Sequence, residues 1–160
     1  MAVRTDNAIV INAPLETVWE TTNDVESWPH LFTEYAEAEI LERKGNTVVF
    51  RLSMHPDENG KIWSWVSERT IDPKTHSVKA RRIETGPFEF MNIEWYYEEV
   101  DGGTRMRWVQ EFTMKPNAPA NDEQMEVYLN TNTQKQMTVI KQQIEEAGYR
   151  AAAKARPGAA

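Results

Sequence analysis

Lys61–Asp72 reads KIWSWVSERTID. Trp63, Trp65, Ser67 and Arg69 fall on one side of it and Ile62, Ser64, Val66 and Glu68 on the other, the period of a β-strand. Asn59-Gly60, just before it, is the signal of a tight hairpin turn. The side with two indoles also carries a hydroxyl and a guanidinium. A side that only fills a core favours Val, Ile or Leu, because a buried arginine costs several kcal/mol unless it is paired and hydrogen-bonded. A side facing water would not present two indoles. The wall of an interior cavity suits both, with aromatic surface to hold a ligand and a few polar groups to orient it.

Strand rhythm continues in both directions from this segment. Turn signals at Lys44-Gly45-Asn46, Asp57–Gly60, Asp72-Pro73-Lys74, Thr85-Gly86-Pro87 and Asp101-Gly102-Gly103 separate Tyr35–Glu42, Thr47–Met54, Lys61–Asp72, Ser77–Glu84, Phe88–Val100 and Thr104–Met114. With a first strand at Arg4–Ile11 this predicts about seven strands, antiparallel because the connections are short. In the last of them Thr104, Met106, Trp108, Gln110, Phe112 and Met114 share one side, apolar but for a single amide. In Phe88–Val100, Met91, Ile93, Trp95 and Tyr97 share a side that excludes Phe88 and Phe90, which predicts a bulge near Met91.

Two short helices are predicted after the first strand. Pro14 opens one, with Leu15, Val18, Trp19 and Thr22 as its stripe, and Asn23-Asp24 starts another that stops near Trp28-Pro29. Asn121-Asp122 opens a long helix to Tyr149, about 40 Å at ~1.5 Å per residue. Its inner stripe reads Met125, Tyr128 or Leu129, Asn132, Gln136, Ile140 and Ile144. The expected architecture is α+β: a curved seven-stranded antiparallel sheet around one long C-terminal helix, with an interior cavity between them. A single domain over residues 1–150 and a disordered tail at 151–160 complete the expectation.

The composition excludes several functions. The 160 residues contain no cysteine, hence no disulfide framework and no thiolate chemistry. The three histidines, His30, His55 and His76, show no ligand spacing, and there is no phosphate loop or GxSxG elbow, so neither metal nor organic cofactor is expected. A net charge of −7 argues against a nucleic-acid or anionic-membrane partner. No apolar run approaches the ~18 residues of a membrane span, and a cytoplasmic protein is expected.

RTDNAIVINAP (residues 4–14), TNDVESWPHLFTEYAEAEIL (22–41), WSWVSER (63–69), IETGPFEFMN (83–92) and RWVQEFTMKP (107–116) together resemble the tetracenomycin-type polyketide aromatase/cyclases. These belong to the START/Bet v1-like helix-grip superfamily, and the resemblance over residues 3–145 is nearest to the spore-pigment aromatase/cyclases of bacterial type II polyketide clusters. It implies an enzyme that receives a linear poly-β-ketone from an acyl carrier protein, alongside a minimal type II polyketide synthase. Such an enzyme directs ring closure at C9–C14 and promotes dehydration to an aromatic ring. The family's pocket arginine falls on Arg69 and its pocket tyrosine on Tyr35; lining positions fall on Trp28, Phe32, Trp63, Trp65, Phe88, Met91, Trp95 and Trp108. At position 128 the tetracenomycin relative carries histidine and this chain has Tyr128, a departure from the family's pattern at that helix residue.

A poly-β-ketone enolises readily but can close in many ways, so the main task is to hold the reacting carbons near ~3.5 Å. Arg69 cannot act as a base, but it can stabilise a developing enolate or alkoxide. Tyr35 is the candidate proton donor. Ser67 and Gln110, with Tyr128, Asn132 and Gln136 from the helix, would orient further oxygens. From the residues alone, Arg69 could instead be a structural charge paired with Glu84, Glu94 or Glu111. Arg81-Arg82 reads as a solvated face or a docking patch for an acidic carrier. A non-catalytic hydrophobic carrier and a structural chaperone of a synthase complex remain as alternative functions.

Overall fold

Period-two segments separated by short turns pair with their neighbours in the computed structural model, which describes residues 2–155. Among the described residues the strands are β1 (Val3–Ile11), β2 (Tyr35–Lys44), β3 (Thr47–Met54), β4 (Ser64–Asp72), β5 (Ser77–Arg82), β6 (Phe88–Val100) and β7 (Gly103–Met114). They form one antiparallel, curved sheet in the order β1-β7-β6-β5-β4-β3-β2, so β2 to β7 run as a meander and β1 closes on β7. The helices are α1 (Leu15–Asn23), α2 (Trp28–Leu31), joined to it through a single 3-10 turn at Val25–Ser27, and α3 (Asp122–Ala155). None of the described helices is long and apolar enough to cross a membrane.

Four local expectations are corrected. β4 begins at Ser64 rather than Lys61. The tight turn at Asn59-Gly60 does form: the Gly60 N–H donates to the Asp57 carbonyl and the Asp57 N–H to the Lys61 carbonyl, both at 2.9 Å, with Gly60 at φ +77°. The Asp57 carboxylate also accepts the backbone N–H groups of Asn59 and Lys61 at 2.9 and 3.0 Å, which braces this turn. An aspartate that bonds its own backbone in this way competes with the strand ladder. β5 ends at Arg82 because the N–H groups of Ile83 and Glu84 both turn to the Val66 carbonyl. Pro29 does not stop the second helix; it lies in the first turn of α2, where its missing N–H costs nothing. α3 runs to Ala155, six residues past the expected end at Tyr149, through an alanine-rich segment of high helix propensity. The rest of the proposed tail, residues 156–160, lies outside the described residues.

The expected bulge falls between Phe88 and Phe90, where Phe88 faces Met114 and Phe90 faces Thr113. The extra residue, Glu89, swings Phe88 to the Met91 side, and both are buried.

Asn121 and Gln124 cap α3 reciprocally, each side chain bonding the other's backbone N–H at 2.8–2.9 Å. The buried seam of α3 is Leu129, Thr133, Gln136, Met137, Ile140 and Ile144, so Thr133 and Met137 join the expected stripe while Tyr128 stays half exposed. Polar clamps fix the helix in place. Asn130 and Gln134 bond Asn7, Lys141 donates to the Val10 carbonyl, and Gln143 donates to the His30 carbonyl of α2. The helix is thus held at its rims, and the space between them does not have to close. At the β1–β7 junction, Gly103 has φ +147° and a Cβ there would lie 2.0 Å from the Ile11 carbonyl oxygen, so only glycine fits.

Candidate active site

The sheet's concave side and α3 enclose a cavity of about 620 Å³. Its walls come from the inward positions of β3 to β7, from Trp28 and Phe32 around α2, and from the first half of α3. Exposed residues of the β3–β4 connection, the Gly86-Pro87 turn and the start of α3 line its outer part. Every side chain singled out from the sequence lines it: Arg69, Tyr35, Trp28, Phe32, Trp63, Trp65, Ser67, Phe88, Met91, Trp95, Trp108, Gln110, Tyr128, Asn132 and Gln136.

The aromatic wall is continuous. Trp95 stacks on Trp108 with ring centres 4.2 Å apart and planes within 10°. Trp28 stacks on Trp95 at 5.9 Å and on Tyr35 at 6.0 Å. The indoles therefore pack on one another and still leave a void. Trp28 Nε1 donates to the Thr22 carbonyl at 3.1 Å, which fixes the ring that links α2 to the sheet. Trp63, outside the β4 ladder, is held by its Nε1 on Asp57 at 3.1 Å and by Lys61 over its ring.

Arg69 is 3 % exposed. Its Nε and Nη2 donate to Asn23 Oδ1 at 3.2 and 2.8 Å, and its Cζ lies 4.1 Å from the Trp95 ring centre. The Tyr97 hydroxyl also bonds it, and that hydroxyl pairs with Thr22 Oγ1 at 2.5 Å. Its hydrogen-bond partners are neutral oxygens. Glu84 pairs with Arg51, and Glu94 bonds Tyr96, so the acidic partners considered for Arg69 are engaged elsewhere or, for Glu111, exposed. Burial pushes the Arg69 pKa down to about 10, and the group stays cationic at neutral pH. The same burial raises Tyr97 to about 12.

Tyr35 packs among Trp28, Phe32 and Trp65. Burial and then the neighbouring Glu34 carboxylate raise its pKa well above the ordinary phenol value, so it holds its proton. Glu34 takes a bond from Asn132 Nδ2 at 2.7 Å, and burial raises its pKa. Ser67 is buried in β4 beside Arg69. Gln110 receives the hydroxyls of Thr5 and Thr133 on Oε1 at 3.2 and 3.3 Å, which leaves its amide N–H groups for the cavity. Gln136 is bound on both ends by Thr33, through the backbone N–H at 3.0 Å and Oγ1 at 2.9 Å, and mainly anchors the loop before β2.

Sequence reading misplaced Arg82. It is not half of a surface doublet: Arg81 points outward and pairs with Glu68 at 3.2 Å, whereas Arg82 lines the cavity. Its Cζ lies 4.0 Å from the Trp65 ring centre and 4.7 Å from that of Phe88. The signal was present, since Val78, Ala80 and Arg82 alternate with Lys79 and Arg81. Asn23 and Glu34 were missed as well; each acts through a partner distant in sequence, and no local pattern marks them. Among the described residues no group of three or more His, Cys, Asp or Glu could hold a metal.

Residues 11–138 match the family described as "Polyketide cyclase / dehydrase and lipid transport". The chain belongs to that family. Among curated relatives of this polyketide cyclase family member, a Streptomyces cyaneus protein named "Putative polyketide cyclase" is 59 % identical over 146 residues, covering 91 % of this chain and 96 % of the relative. The granaticin polyketide synthase bifunctional cyclase/dehydratase of Streptomyces violaceoruber is 27 % identical over 139 residues, which span 86 % of this chain and 42 % of that one. The crystal structure of the ZhuI aromatase/cyclase from Streptomyces sp. R1128 superposes with a TM-score of 0.81 at 22 % identity, covering 91 % of this chain and 94 % of that one. This likeness shows the START/Bet v1-like fold.

Proposed function

We propose that the chain is a polyketide aromatase/cyclase that takes a linear poly-β-ketone from an acyl carrier protein. In this reading it directs the first aldol closure, C9 to C14, with loss of water, in a type II pathway of the spore-pigment kind. Family membership and the cyclase relatives support the general activity. The observation that carries the reading is Arg69, a cation buried in an aromatic-walled cavity with only neutral partners. Its charge is not cancelled by a carboxylate within reach, so it is available to a charge that develops on the substrate.

The steps follow from these groups. Loss of one C14 proton to water gives an enolate, whose carbon attacks the C9 carbonyl. The C9–C14 bond forms as the carbonyl π pair moves onto oxygen, and Arg69 stabilises that alkoxide. Tyr35, protonated at neutral pH, gives its proton to it. The C9 hydroxyl then leaves as water with the second C14 hydrogen, and enolisation completes the aromatic ring. The stacked indoles restrict how the chain folds and keep out water, the larger share of selectivity in a molecule that cyclises spontaneously. In this reading Ser67 and the Gln110 amide orient other ketone oxygens.

Reconstitution with a minimal type II polyketide synthase tests this reading. Adding the protein should convert a spread of spontaneous shunt products into one C9–C14-closed product. A hydrophobic carrier would bind the chain and leave the product ratio unchanged.

A further inference from the structure

Arg82 has no role in the reaction as drawn, yet it is the second arginine of the cavity. Among the described residues, no hydrogen bond or ion pair engages its nitrogens; Trp65 and Phe88 contact it only through their rings. Partial burial lowers its pKa to about 10, and it stays charged at neutral pH. A guanidinium has five N–H donors, and on this partly exposed residue they are open to a ligand in the cavity. Glu34 is near enough to attract it but forms no ion pair with it, being held by Asn132 instead. Two elements therefore fix this cation without neutralising it, and its unmet donors adjoin the cavity.

We propose that Arg82 is a second oxyanion anchor of the cavity, taking an ionised β-dicarbonyl unit of the substrate through its planar fork. The proposal rests on the poly-β-ketone reading of the site and specifies how that chain is held. A β-dicarbonyl enolate in its U-shaped form presents two oxygens side by side in one plane, sharing one negative charge. A guanidinium edge matches that arrangement with two parallel N–H donors, as it matches a carboxylate. A neutral isolated ketone offers neither the second oxygen nor the charge.

The register of the sheet gives the anchor its consequence. Arg69 faces Ala80 and Ser67 faces Arg82 across β4 and β5, so the two arginines are diagonal neighbours on one face, with Cα atoms about 7–8 Å apart. Tyr35 interacts electrostatically with both, so the proton donor sits within the field of each. One oxyanion held at Arg82 fixes the register of the repeating chain, and the carbonyl that reaches Arg69 is then the one attacked. Arg82 is accordingly a specificity residue that binds, and Arg69 the group at the reacting carbon.

The test is binding, independent of turnover. An aryl 1,3-diketone is titrated by its enolate absorbance, free and with protein, for wild type, Arg82→Gln, Arg69→Ala and the double variant, all checked for native melting. The wild type should lower the ligand's apparent pKa. Arg82→Gln should weaken enolate binding at least tenfold while a neutral mono-ketone analogue binds within twofold of wild type. The pKa shift should persist in Arg69→Ala and vanish in the double variant. Glu34→Gln should tighten enolate binding severalfold, because it removes a like charge. Enolate binding changed less than twofold by Arg82→Gln in both backgrounds overturns the anchor. Loss of neutral and ionised ligand alike overturns it too, by making Arg82 a packing residue. Failure of the cyclisation assay with this binding pattern intact would refute the enzymatic reading and leave the anchor standing.

Discussion

Asn23 is where the account of Arg69 can be pressed hardest. Its Oδ1 accepts both Arg69 bonds, and its Nδ2 donates to the Trp19 carbonyl at 2.9 Å, tying the end of α1 to β4. Asn23→Ala leaves a buried guanidinium without its acceptor, and a hydrogen bond to a charged group is worth about 1.5–3 kcal/mol. At about 2–4 °C per kcal/mol for a chain of this size, the melting temperature should fall by roughly 3–12 °C. Asn23→Asp has a milder effect on the fold and a larger one on the chemistry. The new carboxylate would pair with Arg69 at close range but lose the bond to the Trp19 carbonyl, so the melting temperature at pH 7 should fall less than in Asn23→Ala. Arg69 would depress the pKa of that introduced carboxyl group, so its stabilisation is present at neutral pH and lost as the pH falls through the folded-state value. Yet the pair cancels the charge meant for the substrate oxygen. Loss of such electrostatic stabilisation costs ~3 kcal/mol, on the order of a hundredfold in rate. Differential scanning fluorimetry and product profiling of the same samples read both effects. A folded Asn23→Asp protein that cyclises like wild type would refute the idea that Arg69 works as an uncompensated cation.

Two further outcomes concern the fold and its pH response. Gly103→Ala should lower stability by at least ~2 kcal/mol, read as a lower urea midpoint at constant slope, because its Cβ collides with the Ile11 carbonyl. Burial raises the Glu34 pKa above 4.5, so just above that pH the folded chain binds more protons than the unfolded one and stability falls as Glu34 ionises. Glu34→Gln should therefore melt higher than wild type at pH 7, with the gain shrinking towards pH 4; equal melting at both would contradict the burial cost.

The strands were legible because alternation reports which side of a sheet is buried, and most cavity residues lie on such alternating segments. Trp63 joined them on phase alone, although its place is secured by Asp57 rather than by a ladder. The ends of β4 and β5 were not legible: Asp57 and the Val66 carbonyl capture backbone donors in ways that leave no periodic trace. Arg82 was obscured by its neighbour, since two adjacent arginines read as a charge run although a strand sends them to opposite sides. Asn23 and Glu34 depend on contacts with β4 and α3, and only the folded chain brings those together.

The most direct measurement is the product ratio of the reconstituted synthase with Arg69→Ala, alongside Arg69→Lys and Tyr35→Phe, each soluble and melting near wild type. Arg69→Ala should cut the C9–C14 product on the order of a hundredfold while shunt products rise. Arg69→Lys should restore part of it, because an ammonium lacks the planar fork, and Tyr35→Phe should lose less, since water can supply the proton. A folded Arg69→Ala protein with the wild-type product ratio would contradict the account and leave Arg69 a structural cation.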